Sequence, residues 1–466
     1  MKKVDVVILL ISLFTIKTVF AEGYEIKVKI NNISNEEIYL GYHFGSKLYV
    51  SDTTILDNSG KGVFKGEEEL KGGLYLIFLP NKTYFDIIIG DNQYFTIEND
   101  TSDFVKNIKF ISSNVNQNFY NYQRFLMDNQ EKLKDLRDEK KKYEENDEED
   151  KAKKVQEEME ALNKIVMGEM DQVIGKNQDN FLSKLLTASK DVDIPEAPKD
   201  ENGNIIDSLF QYKYYKEHFF DNIDFSDHRL LRTPFVETKL KQYFSAIPQI
   251  PDSLLPLIDS ILIKAQADST VFQFTLSFLF NHFLKSNIMG MDKVYVHIGE
   301  KYYLSGLAPW ADSTFITKLS DRVNKIKPNL IGNISPDLKM VTENNQWIRL
   351  HDINAKYIIL IFWETSCGHC KKAIPKIYKT YEKYKNNGVA VFAVYTQYKK
   401  DKWLEFLKEK NLNWINVYDP YNISNFRDLY DIYSTPVIYL IDEDKKIVAK
   451  RLGPGDIEDF LSREFD

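Results

Sequence analysis

The chain has 466 residues, which is too long for one ordinary hydrophobic core, so we expect roughly two to four domains. Hydrophobic residues make up 43% of the sequence and no long Pro-, Gly- or Ser-rich tract interrupts it, so most of the chain should fold. The formal net charge is −8, and no stripe of Lys and Arg is interleaved with aromatic residues. These features argue against nucleic acid as a partner, because phosphate binding needs a basic surface.

The N-terminus has the pattern of a secretory signal peptide. Two Lys residues follow Met1, an apolar run covers Val6–Phe14, and a Val-Phe-Ala sequence ends at Ala21 with small residues where a signal peptidase reads them. We therefore predict that residues 1–21 are a signal peptide cleaved after Ala21 and that the protein is exported. The alternative is an uncleaved membrane anchor, but Lys17 leaves the apolar run shorter than the roughly 20 residues that a spanning helix needs.

Residues 22–112 predict a small antiparallel β sandwich. From Tyr24 to Ile30, apolar and charged residues alternate with the period of a half-buried strand. Turn sequences rich in Asn, Asp and Gly separate similar runs at Ile38–Phe44, Gly62–Lys65, Leu74–Leu79, Phe85–Ile89 and Tyr94–Ile97. This part shows no cluster of His, Cys or paired carboxylates that would predict a site.

Residues 113–327 predict an all-α middle domain. Apolar residues recur at helical spacing over residues 126–143 and again over residues 155–173, with the acidic stretch 144–150 between them. We interpret these segments as two long helices packed in an antiparallel hairpin, with the acidic stretch facing solvent. A docking tail is the alternative interpretation of the acidic stretch. Further helical patterns continue to about Lys325.

The only two cysteines, Cys367 and Cys370, stand three positions apart. The β-branched and aromatic run Tyr357–Trp363 leads directly into this C-x-x-C motif, and an amphipathic helical pattern follows it. Later elements are predicted at Val389–Tyr395, Lys402–Lys410, Trp414–Tyr418, Phe426–Tyr433, Val437–Ile441 and Lys446–Leu452. With Thr435-Pro436 before the final hairpin, this order predicts an α/β thioredoxin-like fold for residues 328–466, which should fold without the rest of the chain.

The position of the motif suits disulfide exchange. The attacking species is a thiolate, and a sulfur just before a helix is stabilised as an anion by free backbone N–H groups and the helix dipole. We predict that Cys367 attacks a substrate disulfide and that Cys370, one turn later, resolves the mixed disulfide. His369 would add a positive charge or a hydrogen-bond donor and make the couple more oxidising. Thr435-Pro436 is predicted to have a cis peptide bond and to offer a backbone edge to the substrate, with a trans turn as the alternative.

Other interpretations of these residues are weaker. Half of a zinc site would need two more Cys or His ligands, and no second C-x-x-C exists. A purely structural disulfide closing so short a loop would stabilise the fold little. His297 and Glu300 stand one turn apart, as metal ligands would, but no third ligand is in sight. We therefore expect no metal and no cofactor beyond a redox-active disulfide between Cys367 and Cys370.

The stretch from Phe362 to Pro375, together with Thr435-Pro436-Val437 and Ile441-Asp442-Glu443, resembles the TlpA/ResA-like branch of the thioredoxin superfamily. Trp363 lies within this stretch and is predicted to support the site. The N-terminal β part resembles domains that precede thioredoxin modules in envelope proteins of Gram-negative bacteria. The resemblance implies thiol–disulfide exchange in the periplasm, usually by a reductant that a membrane electron donor regenerates.

The sequence departs from this family near the motif. Ser366 replaces the Trp that commonly precedes the first Cys. Ile361 replaces the buried acid of thioredoxins, and Ala373 replaces a Glu that is frequent in this branch, so both usual proton-relay carboxylates are missing. Glu364 is either their substitute or an acid of a surface loop.

These features predict an exported enzyme, a thiol–disulfide oxidoreductase that acts as a reductase. Two alternatives stay open. One is a disulfide oxidase or isomerase, which His369 would suit, and the other is a binding protein in which the redox domain is accessory. The expected partners are cysteine-containing exported proteins, with a membrane electron donor and a second copy of the chain, bound through the helical domain, as further candidates.

Overall fold

A computed structural model describes residues 23–178 and 180–465 of the chain. The predicted signal peptide and its cleavage after Ala21 therefore lie outside the described residues. The chain divides into two compact units, one ending at Ile247 and the other beginning at Pro248. Helices after Pro248, which the sequence analysis assigned to the middle domain, thus belong to the same unit as the predicted thioredoxin-like domain.

The first unit begins with two four-stranded β sheets. Their strands are β1 (Tyr24–Asn31), β2 (Glu37–Phe44), β3 (Lys47–Ile55), β4 (Lys61–Gly66), β5 (Gly73–Phe78), β6 (Tyr84–Ile89), β7 (Tyr94–Asp100) and β8 (Lys109–Ile111). The strand orders are β4-β1-β7-β8 and β3-β2-β5-β6. Ile26, Val28 and Ile30 on β1 are buried and the residues between them are less so, which places one face of this strand in the core.

Two details of these sheets differ from the sequence prediction. β1 pairs with β7 in parallel, so the sheets are not wholly antiparallel. The strands β2 to β6 separate the two partners in sequence, and this connection is long enough for a parallel crossover. The sequence pattern also does not predict β3, because this edge strand has no buried residue and Leu48 and Val50 on it are exposed.

The helices of the first unit are α1 (Phe104–Asn107), α2 (Asn114–Glu145), α3 (Glu149–Lys176), α4 (Phe181–Ser189), α5 (Phe210–His218) and α6 (Phe235–Ala246). α2 and α3 form the predicted hairpin, and its turn lies in the acidic stretch. Asn116 on α2 fastens the hairpin to β6. Its amide nitrogen donates to the Ile88 carbonyl at 2.8 Å, and its amide oxygen accepts from the Ile88 N–H at 2.7 Å.

The second unit opens with helices that lead into an α/β domain. The helices are α7 (Pro251–Ala265), α8 (Ser269–Leu284), α9 (Asp292–Ile298, continued by a π-helical turn over Gly299–Leu304) and α10 (Ser313–Ile326). The α/β elements are β9 (Lys339–Thr342), β10 (Trp347–Arg349), β11 (Tyr357–Trp363), α11 (Gly368–Tyr384), β12 (Val389–Tyr395), α12 (Lys400–Lys410), β13 (Ile415–Tyr418), α13 (Phe426–Leu429), β14 (Val437–Asp442), β15 (Ile447–Lys450) and α14 (Pro454–Phe465).

The α/β domain is built on a seven-stranded mixed sheet of order β10-β9-β13-β12-β11-β14-β15. β11 lies between parallel β12 and antiparallel β14. Its alternating side chains enter two separate apolar clusters, one with Ile361 and Trp363 and the other with Leu360 and Phe362. Burial on both faces explains the uninterrupted apolar run of this strand, and the arrangement confirms the predicted thioredoxin-like fold.

One helix of this domain is shorter than the sequence pattern predicts. α13 ends at Leu429, whereas the apolar spacing predicts a helix to Tyr433. The chain leaves the helix because Asp431 has a φ of 55°, in the left-handed region. Its carboxylate is buried against Arg322, a tertiary contact that no local pattern reveals.

Two buried ion pairs join the α/β domain to the helices before residue 328. Lys450, at the end of β15 and with only 3% of its side chain exposed, pairs with Asp292 on α9. Asp431, also 3% exposed, pairs with Arg322 on α10. Burial lowers the pKa of Lys450 and raises the pKa of Asp431, so each ion depends on its partner to stay charged.

We expect a fragment of residues 248–466 to be more stable than a fragment of residues 328–466. The shorter fragment lacks Asp292 and Arg322, the partners of Lys450 and Asp431, and also lacks the helices that cover these two side chains, so it loses both ion pairs and the burial around them. Urea unfolding followed by circular dichroism measures the difference.

The matched control is the shorter fragment carrying Lys450→Met and Asp431→Asn, which removes both uncompensated charges. These substitutions should recover part of the lost stability in the shorter fragment and should not stabilise the longer one. Equal stability of the two unsubstituted fragments would contradict this expectation and would favour an autonomous domain that begins near residue 328.

Candidate active site

The C-x-x-C motif lies where β11 has ended and α11 begins. Cys367 is the N-cap residue of α11, and its φ of −78° and ψ of 120° are extended rather than helical. Its sulfur accepts a hydrogen bond from the backbone N–H of Cys370 at 3.2 Å. The first N–H groups of a helix have no carbonyl partner within the helix, and here the sulfur supplies an acceptor for one of them.

The balance of contacts around Cys367 favours its thiolate. One contact acts in the other direction, because the thiol donates to the Thr435 carbonyl oxygen at 3.2 Å and this hydrogen bond favours the protonated form. Partial burial by itself would raise the pKa of Cys367, but hydrogen bonds from the thiol and the N–H of Cys370 oppose this effect. The Thr435 side chain and the backbone N–H of His369 add to them, so the pKa of Cys367 lies below its ordinary value. These contacts thus shift the predicted attacking residue toward the thiolate, which is the reactive form.

Cys370 differs from Cys367 in exposure and in acidity. It is completely buried, whereas Cys367 is partly exposed. Burial, followed by the hydrogen bond with Cys367, raises the pKa of Cys370 to about 12. Both thiols are free in the structure. The motif therefore presents one acidic sulfur at the surface and keeps the second sulfur protonated behind it.

The other predicted site residues take different positions. His369 is exposed, and its contact with Cys367 is made by the backbone N–H. Trp363 is fully buried and packs on Tyr395 and Phe406, with ring centroids 5.9 Å and 5.1 Å away. Trp363 therefore supports the end of β11 from the core.

Strand pairing brings Thr435 to the motif. Val437, at the start of β14, lies opposite Phe362 on β11, so the residues just before β14 lie beside the end of β11. The peptide bond between Thr435 and Pro436 is cis, in agreement with the sequence prediction. Thr435, which lies outside the motif, makes a direct contact with the Cys367 sulfur.

Glu364 lies between β11 and the motif and is half-buried. Its carboxylate accepts a hydrogen bond from the side chain of Gln397. Its backbone lowers the pKa of Cys370, against the larger effect of burial. Gln397 belongs to no motif of the sequence. Its position two residues after a parallel strand is the signal that could have found it, because ligand sites gather at the carboxyl ends of such strands.

The metal interpretation of His297 and Glu300 gains no support from their surroundings. His297 contacts the carboxylate of Asp259 at 2.8 Å, and Glu300 pairs with Lys327 at 2.7 Å. Within residues 23–178 and 180–465, no group of three or more His, Cys, Asp or Glu side chains is arranged to hold a metal ion.

Known proteins resemble this chain in two separate regions. The sequence profile of the AhpC/TSA family matches residues 331–450, and the profile of a domain of unknown function, DUF5106, matches residues 140–329. Thiol-disulfide oxidoreductase ResA of Bacillus subtilis is 31% identical over 117 residues, and this match spans 25% of the chain and 64% of the relative. Thiol-disulfide oxidoreductase ResA of Bacillus cereus is 30% identical over 126 residues, which are 26% of the chain and 70% of the relative.

Solved structures show similar partial coverage. A domain of a possible thiol-disulfide isomerase from Cytophaga hutchinsonii is 40% identical, and the match covers 29% of this chain and 92% of that domain with a TM-score of 0.28. A thioredoxin-like protein from Bacteroides caccae is 20% identical, with 59% of this chain and 99% of that protein covered and a TM-score of 0.47.

A cysteine pair at the start of the helix that follows the central strand of a mixed sheet defines a dithiol protein of the thioredoxin fold. Within that class, the identity to the Bacillus cereus relative shows that the chain belongs to the ResA family of thiol–disulfide oxidoreductases. This finding confirms the resemblance that the motif predicted.

We expect iodoacetamide to alkylate Cys367 well before Cys370 in the reduced, folded protein at about pH 7. Cys367 is partly exposed and has a lowered pKa, whereas Cys370 is buried with a pKa raised to about 12. Alkylation of Cys367 should slow as the pH falls through its lowered pKa, because only the thiolate reacts. Mass spectrometry of the digested protein gives the rate at each residue.

The same reaction in denaturing urea is the control, since unfolding removes both burial and hydrogen bonds. The two cysteines should then react at similar rates. Similar rates in the folded protein would show that the thiols are not distinguished in the way the structure indicates.

Proposed function

We propose that this protein is an exported thiol–disulfide oxidoreductase that reduces disulfide bonds of other exported proteins with Cys367 and Cys370. The observation that carries the proposal is the difference between the two thiols, one partly exposed with a lowered pKa and the other buried with a pKa raised to about 12. Disulfide exchange needs one nucleophilic thiolate and a second thiol that attacks only after the mixed disulfide has formed.

In the reducing direction, the Cys367 thiolate attacks one sulfur of the substrate disulfide. A bond forms between Cys367 and that sulfur, and the other substrate sulfur leaves as a thiolate that takes up a proton. Cys370 then loses its proton and attacks the Cys367 sulfur, which releases the second substrate thiol and forms a Cys367–Cys370 disulfide. Two electrons have moved from the protein to the substrate, so another dithiol must reduce the protein before the next cycle.

The second step requires Cys370 to lose its proton. In the free protein, burial and the hydrogen bond with Cys367 oppose this loss. Once Cys367 is part of a mixed disulfide its sulfur carries no charge, so the second effect disappears and Cys370 ionises more readily. Ile361 and Ala373 cannot accept the proton, which leaves Glu364, the carboxylate closest in sequence, as the candidate acceptor.

A disulfide oxidase is the second candidate. The observation in its favour is the lowered pKa of Cys367, because contacts that stabilise the thiolate stabilise the reduced protein and raise the reduction potential of the pair. We prefer the reducing direction because ResA-like proteins, to which the motif is similar, usually act as reductants.

The proposed location rests on the N-terminal sequence pattern, which is typical of export to the periplasm or cell envelope. In the part of the chain that the structure describes, no helix is long and apolar enough to cross a membrane. We propose cysteine-containing exported proteins as substrates and a membrane protein with a reduced cysteine pair as the electron donor. A second copy of the chain, bound through the helices, is a further candidate partner.

We expect Cys370→Ser to trap substrate proteins as mixed disulfides and Cys367→Ser to trap none. The first variant keeps the attacking thiolate but has no thiol to resolve the intermediate, whereas the second has lost the attacking sulfur. Non-reducing electrophoresis of the tagged variants purified from the native envelope, followed by reduction and mass spectrometry, identifies the trapped proteins.

The variant with both cysteines replaced by Ser is the control for proteins that bind without a covalent bond. Equal trapping by both single variants would reverse or remove the assignment of Cys367. The absence of any trapped protein from the Cys370→Ser sample would argue against protein disulfides as substrates.

We expect His369→Pro to make the redox couple more reducing by tens of millivolts. Proline has no N–H, so this variant removes a backbone donor that lowers the pKa of Cys367. For a two-electron couple, 30 mV corresponds to about 1.4 kcal/mol, which is the size of one hydrogen bond to a charged group. Equilibration with glutathione buffers of defined ratio, followed by thiol labelling, measures the potential.

His369→Ala is the matched control because it removes the imidazole and keeps the N–H. It should shift the potential less than His369→Pro. Equal shifts would assign the effect to the imidazole, and no shift in either variant would show that residue 369 does not tune the pair. A potential of the unsubstituted protein near that of strong oxidants, about −120 mV, would favour the oxidase.

A further inference from the structure

We call residues 430–436, between α13 and β14, the Thr435 loop. One end of this loop contacts the reactive sulfur, because the Thr435 carbonyl oxygen lies 3.2 Å from the sulfur of Cys367. The Thr435 side chain also lowers the pKa of Cys367 and that of Cys370, against the larger effect of burial. The position of Thr435 therefore affects how readily Cys367 becomes a thiolate.

The other end of the loop is fixed by buried charges. The carboxylate of Asp431 pairs with Arg322 on α10 and lies 3.5 Å from Arg451, which follows β15. Burial raises the pKa of Asp431, and the cations that face it, Lys325 and Lys450 in addition to the two arginines, oppose that effect. The cations thus offset part of the cost of burying this carboxylate, and one of them, Arg322, is supplied by a helix outside the α/β domain.

α10 holds the middle of the loop as well. The Arg322 guanidinium lies 4.8 Å from the ring centroid of Tyr433. Lys325 lies 6.0 Å from the same centroid and pairs with Asp428 on α13 at 3.0 Å. Tyr433 is 67% exposed, so apolar burial does little to hold this part of the loop. Cation–π contacts from α10 are what it packs against.

We propose that Arg322 is a positioning residue for the dithiol, which holds Thr435 against the sulfur of Cys367 by binding Asp431 and Tyr433. Only residues 432–434 separate Asp431 from Thr435, so one short loop carries both the contact with Arg322 and the contact with the sulfur. The proposal rests on the proposed function in one respect, that Cys367 is the attacking thiol. According to the proposal, a helix that precedes residue 328 affects the reactivity of Cys367 in the α/β domain.

The rate of Cys367 alkylation by iodoacetamide, measured from about pH 5 to about pH 10 on the reduced mature chain, tests the proposal. Arg322→Ala should slow alkylation at pH 7 about threefold to tenfold and move the profile to higher pH, because the Thr435 side chain, which lowers the pKa of Cys367, is no longer held beside the sulfur. Asp431→Asn, which keeps the shape of the side chain, should act in the same direction. Arg322→Lys should restore most of the rate because it keeps the charge.

A double-mutant cycle separates positioning from a general loss of structure. Thr435→Val removes the hydroxyl itself, and if Arg322 acts through Thr435, the variant with Arg322→Ala and Thr435→Val should be no slower than the slower single variant. Cys370, His369 and Glu364, the titratable groups that flank Cys367, are unchanged throughout. If the effects of Arg322→Ala and Thr435→Val on the alkylation rate are additive, the proposal is overturned.

Asp259→Asn is the matched control for damage to the helices. The described partners of Asp259 are His297 and Lys301, at 2.8 Å each, and Tyr302, at 2.7 Å, and all lie before residue 328. This variant should leave the alkylation profile of Cys367 in place, and a shift equal to that of Arg322→Ala would overturn the proposal. Circular dichroism verifies folding, and if Arg322→Ala does not fold, Asp431→Asn carries the test.

Failure of this proposal differs from failure of the proposed function. If the pH dependence of Cys367 alkylation in the unsubstituted protein were that of an ordinary thiol, the assignment of Cys367 as the nucleophile would fail. If the alkylation profile of Cys367 lies at low pH and neither Arg322→Ala nor Asp431→Asn moves it, Cys367 remains the proposed nucleophile. Only the positioning role of Arg322 is then excluded.

Discussion

The hydrogen bond from the backbone N–H of Cys370 to the sulfur of Cys367 is the interaction on which the site depends. It requires Cys367 to stand just outside the first turn of α11, and the buried packing of Trp363 fixes the end of the strand that leads there. The same contact satisfies an N–H that the helix leaves free and stabilises negative charge on the sulfur of Cys367. One contact therefore serves both the fold and the chemistry. The segment that makes this contact lies between β11 and β12, which pair with each other in the central sheet.

Sequence families and physical contacts divide this chain at different places. The AhpC/TSA profile begins at residue 331 and the DUF5106 profile ends at residue 329, whereas the compact unit begins at Pro248. Buried charge explains the difference, because Lys450 and Asp431 in the α/β domain have partners on the preceding helices. An ion in the interior cannot be separated from its partner without a large cost in free energy, so the helices and the α/β domain form one physical unit.

Sequence periodicity predicted the elements whose burial follows it. β1 alternates between core and surface, β11 is buried on both faces, and the α2–α3 hairpin shows helical spacing along its length. The pattern failed where the spacing of apolar residues does not follow the backbone conformation. β3 is an edge strand with no buried residue, and α13 ends before Asp431, whose backbone is left-handed and whose carboxylate is buried, although the apolar spacing continues. Exposed edges and tertiary ion pairs leave no periodic trace in the sequence.

The sequence by itself predicted which atoms react and in what order, because a strand, a C-x-x-C motif and a helix are contiguous and their local geometry follows from the spacing. Only the tertiary structure decided how acidic the first sulfur is. Thr435 is 68 residues from Cys367, and Arg322 is 109 residues from Asp431, so neither contact has a local signature. The pKa of Cys367 is a balance between burial, which raises it, and hydrogen bonds, which lower it, and both depend on which distant residues the fold brings to the sulfur.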